Sequence, residues 1–327
     1  MITRFAISAL LASFSAGAVF AQDKITYQND WLHGGDAGWI YVCVHHGFCA
    51  DAGLDVTILP GRGGADAYSK VASGVAEVGQ SQLETVMLGG ARENGPVSAV
   101  MSIFTQHPGV FMMLDNSGID SFEDLSGKTV AVVPFGSSRV FAGFVLDSVG
   151  LTDSVTVELV EPSAMGALLA TGQVDALGTF VNSYSRWQSV VQQTGQDVIG
   201  LPWFEAGFEM YSTALIVNDA FAAAQPDTVR RLIGAIEASI AFGRENPEAV
   251  GEAVAAIVPE LSPTDATNSW NDVSSIIFTD HYEEFGPGAF DAARVSQTWA
   301  LTAQSQDMDE ETFDPETVID RSFLARK

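Results

Sequence analysis

The chain has 327 residues, enough for one large or two ordinary domains, and 47% of them are hydrophobic, enough for a sizeable core. Its formal net charge is -26, with only 15 Lys and Arg. That balance, with no basic cluster, lacks the footprint of a nucleic-acid binder and would be repelled by an anionic membrane surface.

The first residues read as a secretory leader. Arg4 precedes an apolar run from Phe5 to Phe20, and small residues at Val19 and Ala21 mark a cut before Gln22. The run is shorter than the roughly 20 residues that span a bilayer, and no Cys follows it for lipid attachment. A signal peptide over 1–21 and an exported, periplasmic mature chain are expected.

Beyond Gln22 the pattern alternates. "KITYQND" predicts a strand, Ala37 to His46 a helix, "LDVTILP" a strand and Asp66 to Gly74 a helix. "AEVGQS" predicts a strand running into a helix from about Leu83, followed by the strand "VSAVMSIF". "GKTVAVVPFGSS", "TVELVEP", "ALLATGQVDALGTF" and "DVIGLPW" continue the rhythm, which implies parallel-sheet α/β architecture. From Pro226 the period is helical, with prolines at the joints. Two α/β halves followed by a helical remainder suggest two lobes.

"YVCVHHGFCADAG", residues 41–53, packs two Cys and two His into seven positions. Trp39, Ile40, Cys43 and Val44 share a helical face, so Cys43 reads as a small core hydrophobe, with His45 and His46 in the last turn and Gly47 at the cap. Metal ligation is disfavoured because adjacent histidines on a helix point about 100° apart and Cys-x-x-Cys spacing is absent. A Cys43–Cys49 disulfide suits an exported chain, but six residues spanning a helix end would put the two Cα atoms at the limit of bridging distance.

The segment 29–87, "NDWLHGGDAGWIYVCVHHGFCADAGLDVTILPGRGGADAYSKVASGVAEVGQSQLETVM", together with "SGIDSFEDLSGKTVAV" and "NPEAVGEAV", resembles the NMT1/THI5-like family of thiamine-precursor and sulfonate-type substrate-binding proteins of ABC importers. The resemblance implies a two-lobed type II periplasmic binding protein fold with a ligand cleft between the lobes. It implies a first lobe over 22–112, a second over 113–213, and a return to the first over 214–327. It also implies an ABC permease in the inner membrane as partner, a monomer, and a Trp lining the cleft.

Candidate ligand contacts lie where strands run into helices and exposed N–H groups can meet a polar ligand. In "PFGSSR" these are Phe135, Gly136, Ser137 and Ser138, with plain helix capping the alternative. Gln82, beside Ser81, holds the matching place in the first lobe. Trp31 offers a stacking face or a core anchor. Asp36, near His33, offers a hydrogen bond or a helix cap. Gln106 lies near the first crossing, Asn182 and Tyr184 follow a strand of the second lobe, and Glu209, near Glu205, supplies a carboxylate at the second crossing. Arg62, Arg139 and Arg186 are the basic residues nearest the cleft. Pyrimidine-binding relatives tend to carry a Glu in the stretch written here "VNSYSRW", where this chain has Ser and Tyr, so either Glu205 or Glu209 replaces it or the ligand is not an aminopyrimidine.

The expected function is capture of a small heteroaromatic, thiamine-pyrimidine-like solute by lobe closure and delivery to a permease. The alternative ligand is a sulfonate, nitrate or other small acid. A pyrimidine-forming enzyme on the same scaffold is the other class, with His33 and His107 as its only plausible cleft histidines, and no H-E-x-x-H or G-x-S-x-G motif supports it. No cofactor or metal is expected.

Overall fold

A computed structural model describes residues 22–134 and 137–324, with the Ser137 side chain outside the description. The leader assigned to 1–21 lies outside the described residues. Among those described, no helix is long and apolar enough to cross a membrane.

Among the described residues, ten strands form two five-stranded sheets. The first holds β1 (Asp23–Gln28), β2 (Leu54–Leu59), β3 (Val78–Gln82), β4 (Val97–Ser102) and β10 (Thr213–Asn218), in the order β2-β1-β3-β10-β4. The second holds β5 (Gly109–Leu114), β6 (Thr129–Val132), β7 (Thr156–Leu159), β8 (Ala176–Phe180) and β9 (Val198–Pro202), in the order β7-β6-β8-β5-β9. The plan is the same in both: three parallel strands, then an antiparallel strand, β10 or β5, pairing with the third parallel strand and with the outer one. The boundary expected after Met112 falls inside β5, a strand of the second sheet. The chain crosses at 103–108 and returns at 203–212.

Each sheet is covered on both faces. In the first lobe, α1 (Gly38–His45), α9 (Pro226–Glu245), α10 (Pro247–Ile257) and α11 (Pro263–Ile277) bury one face, and α3 (Gly64–Ala72), α4 (Leu83–Glu93) and α13 (Ala292–Ser305) the other. α9 shows why: Pro226 at its first turn needs no N–H partner, and Val229, Leu232, Ile233, Ile236 and Ile240 recur at helical spacing, all buried. In the second lobe α5 (Ser137–Ser148) lies on one face, and α6 (Pro162–Ala170) and α7 (Tyr184–Val191) on the other. α2 (Phe48–Asp51), α8 (Asp219–Ala224) and α12 (Asp280–Phe285) are short connectors.

One expectation is corrected. Cys43 and Cys49 form a disulfide, with Cα atoms 5.0 Å apart. The sequence reading ends the helix at His46 with Gly47 as its cap but leaves the path to Cys49 open; Gly47, at φ +87°, reverses the chain and α2 brings Cys49 back against α1. His45 and His46 are exposed beside this turn, in edge-to-face contact with each other.

Candidate functional site

The carboxyl ends of β1 and β3 are polar yet buried. Gln28, Asn29, Gln80, Ser81 and Glu84 are each 5% exposed or less, where strand alternation would place apolar side chains against the helices. Such burial requires hydrogen bonds, and a chain of them runs through the site. Trp39 Nε1 donates to Tyr27 Oη (3.2 Å), Tyr27 Oη donates to Gln80 Oε1 (2.9 Å), and Gln80 Nε2 donates to Asp30 Oδ1 (2.6 Å). Gln82 Nε2 donates to the other oxygen, Asp30 Oδ2. Beside them Asn29 Nδ2 donates to Tyr41 Oη (3.0 Å), which also meets His33 Nδ1 at 2.5 Å.

Glycines let the backbone close around this array. A Cβ on Gly64, at the start of α3, would lie 2.0 Å from Gln82 Oε1, and one on Gly61 would lie 2.1 Å from the Asn29 carbonyl oxygen. The turn "GRGG" thus presses against the strand ends and sets the amide of Gln82 toward Asp30.

Glu84, in the first turn of α4, is 5% exposed and its Oε2 has no hydrogen-bond partner. Desolvation, reinforced by the nearby Asp30 charge, pushes its carboxyl up to about 8. Asp30 is pushed up to about 6 by desolvation, opposed by the amides of Gln80 and Gln82. Asn29 Oδ1, Gln106 Oε1 and Ser212 Oγ are also buried without partners. Ser212 belongs to the same corner, because its carbonyl accepts from Leu83 N at 2.9 Å.

The lobes meet across this corner. Asn182 Nδ2 donates to Asp36 Oδ2 (3.2 Å), and Ser185 donates to Asp272 from its backbone N (3.0 Å) and its Oγ (2.6 Å). Val181 packs against the cores of both lobes.

Of the residues expected at the site, Trp31, Asp36, Gln82 and Asn182 lie around the corner, while Gln106 lies in the first crossing segment with a buried, unpartnered Oε1. Trp31 is 51% exposed, so it is a surface face and not a core anchor. Asp36 and Asn182 are joined to each other, and Gln82 is committed to Asp30. Ser138 is buried at the start of α5; Phe135 and Gly136 lie outside the described residues, as does the Ser137 side chain. Tyr184 turns inward instead: its hydroxyl donates to the Val198 carbonyl and its ring packs on the second lobe's own core. Glu209 is on the surface, paired with Arg294 at 3.3 Å, and Glu205 is exposed. Neither is the buried carboxylate expected to replace the relatives' Glu. Among the described residues the carboxyl groups at this corner are Glu84, which is buried, and Asp30 and Asp36, which are half-buried; the sequence reading picks out only Asp36. The signal for the other two was the run of polar residues in "QND" and "QSQ" at the ends of two strands.

The basic residues expected nearby are engaged elsewhere or exposed. Arg139 donates to the Pro134 carbonyl, Arg186 lies over the Trp187 ring, and Arg62 is exposed. Among the described residues no Lys or Arg forms an ion pair with Asp30, Asp36 or Glu84. His107 is 2% exposed inside the crossing segments, away from any role as an open cleft histidine.

Two α/β lobes joined by two crossings, with a polar corner at the strand ends where they meet, define the two-lobed fold of periplasmic binding proteins. The model of the NMT1/THI5 like family matches residues 36–250, and the chain belongs to that family. Among its relatives is a formylaminopyrimidine-binding protein of Halalkalibacterium halodurans, 26% identical over 62% of this chain; the match spans 60% of that relative's length. Another is a 4-amino-5-hydroxymethyl-2-methylpyrimidine phosphate synthase of Aspergillus parasiticus, 24% identical over 85% of this chain and 80% of the relative, so enzymes occur among the relatives. In fold, the chain is similar to the aliphatic sulphonate-binding protein SsuA of Escherichia coli, with a TM-score of 0.67 at 12% identity over 90% of this chain and 98% of that one.

Proposed function

We propose that this chain is the periplasmic solute-binding component of an ABC importer. It acts as a monomer, closes its lobes on a small, donor-rich heteroaromatic solute of the aminopyrimidine type, and delivers it to a permease in the inner membrane without chemical change. The observation that carries the ligand class is the pair of buried, unpartnered oxygens at the strand ends, Glu84 Oε2 and Asn29 Oδ1. Unmet acceptors cost about 1–3 kcal/mol each, so the fitting ligand brings N–H groups or a positive charge to them. A ligand amidinium would draw Glu84 into its carboxylate form, whereas a sulfonate or nitrate would face Asp30, Asp36 and Glu84 with no opposing cation. The exposed face of Trp31 suits a flat ring.

The test is a thermal-shift and calorimetric screen of the purified chain against aminopyrimidines, riboflavin, taurine and nitrate. A ligand at 100 times its dissociation constant stabilises the folded state by about 2.7 kcal/mol. Stabilisation by aminopyrimidines alone is expected. Binding of taurine or nitrate in their place would overturn the ligand class, and turnover of a bound pyrimidine precursor would overturn the non-catalytic reading.

A further inference from the structure

Helix α7 of the second lobe begins without a cap of its own. Its N-cap residue, Ser183, makes no side-chain capping bond. The first-turn N–H of Ser185 is satisfied by Asp272 Oδ2 at 3.0 Å, while the Ser185 hydroxyl donates to Asp272 Oδ1 at 2.6 Å. Asp272 sits on α11, in the other lobe. The second interlobe bond, Asn182 to Asp36, ends on the turn Gly35–Ala37, and that turn is seated on the same helix: a Cβ on Gly35 would lie 1.8 Å from the Ala266 carbonyl oxygen of α11. Both acceptors are therefore mounted on one rigid surface, and both donors lie within four residues at the start of α7.

We propose that Asp272, with Asp36, forms a closure latch: α7 borrows its N-terminal cap from the opposite lobe, so the Ser185 N–H meets its carboxylate only when the lobes are shut. Opening exchanges the cap for water and leaves Asp272 unpaired. Asp272 is a positioning residue that acts through α7. It biases the closed state whatever the ligand, and apparent affinity rises in proportion to the fraction of the chain in the binding-competent shape. The latch is independent of the aminopyrimidine reading.

The experiment measures the distance distribution between spin labels on Cys introduced at the exposed positions Val75 and Leu159, one in each lobe, in the full ligand-free chain. The parent chain should show a closed population. Asp272→Ala should lower the closed-to-open ratio about tenfold, the scale of a lost N-cap, and Asp272→Asn, which still accepts from Ser185 N, should stay within about threefold of the parent. Ser185→Ala removes only the hydroxyl bond, leaves the backbone donor, and should fall between. If Asp272→Ala does not fold, as judged by circular dichroism, Ser185→Ala carries the test. An unchanged distribution in the Ala variants, no closed population in the parent, or an Asn variant as open as Ala would each overturn the latch.

Discussion

His107 lies nearly parallel to Trp203, ring centroids 5.7 Å apart and planes 15° from coplanar, one residue from each segment that crosses between the sheets. Phe141, Phe180 and Phe208 meet the His107 ring edge to face, and its Nδ1 accepts a hydrogen bond from Gly109 N at 3.0 Å. The pair is the aromatic plug of the hinge.

That plug makes the hinge acid-sensitive. Burial pushes His107 down to about 3, so the folded state excludes a proton that the unfolded state binds below about 6.5. A depressed His pKa gives stability that is full above the unfolded value and lost as pH falls: about 1.4 kcal/mol per pH unit below 6.5. His107→Gln should remove this slope, read as the pH dependence of the stability difference between variant and parent in urea. Parallel curves from pH 7 to pH 4 would refute the assignment.

Glu84 works in the opposite direction. Its folded value, about 8, lies above the ordinary carboxyl range, so the ligand-free chain loses stability as pH rises from about 4.5 toward 8. Glu84→Gln should therefore be close to the parent in stability at pH 4.5 and more stable by a few kcal/mol at pH 8. In the same variant, affinity for an aminopyrimidine should fall about tenfold, since Gln cannot become a counter-ion. Equal stability at both pH values would show that Glu84 is already paired.

Much of this was legible in the residues, and the exceptions share a cause. Periodicity located β1 to β4, β6 to β9 and the helices from Pro226, because each has local punctuation and an apolar rhythm. β5 and β10 were not singled out as strands: "GVFMML" and "TALIVN" are apolar runs with almost every residue buried, which carry no alternation and pair only with distant strands. The same limit applies to the site. Gln82 stood out where a strand runs into a helix and Asp36 beside turn glycines, whereas Glu84 looked like an ordinary acidic residue in a helix's first turn, and only its burial gives it another meaning. Glu209 lies on the surface against Arg294, 85 residues away in the sequence, a pairing no local pattern could show.

The disulfide is a test of local rigidity. It closes a small loop, for which the loss of unfolded-chain entropy gives about 2 kcal/mol. Replacing both Cys43 and Cys49 by Ser should lower stability by that order, plus the cost of placing two hydroxyls among core side chains at positions 0% and 2% exposed. Denaturant titration of the double variant would read it; no change would mean the loop is held by packing alone.

Trp31 and Trp39 should separate binding from folding. Trp31 is 51% exposed and Trp39 is fully enclosed, bonded to Tyr27. Trp31→Ala should leave stability within about 0.5 kcal/mol while weakening ligand binding about tenfold. Trp39→Ala should cost about 3–5 kcal/mol. Ligand affinity unmoved by Trp31→Ala would remove the stacking role.

The position of β10 bears on the order in which the molecule can be assembled. All five strands of the second sheet lie in one stretch, 109–202, while the first sheet lacks the strand between β3 and β4 until residues 213–218 exist. During synthesis from the N-terminus, the earlier half of the chain must wait with two unjoined sheet edges while the later half completes itself. The second lobe is thus free to fold first, and the first lobe closes around it, so the chain's beginning is the last part to become protected from association with other chains.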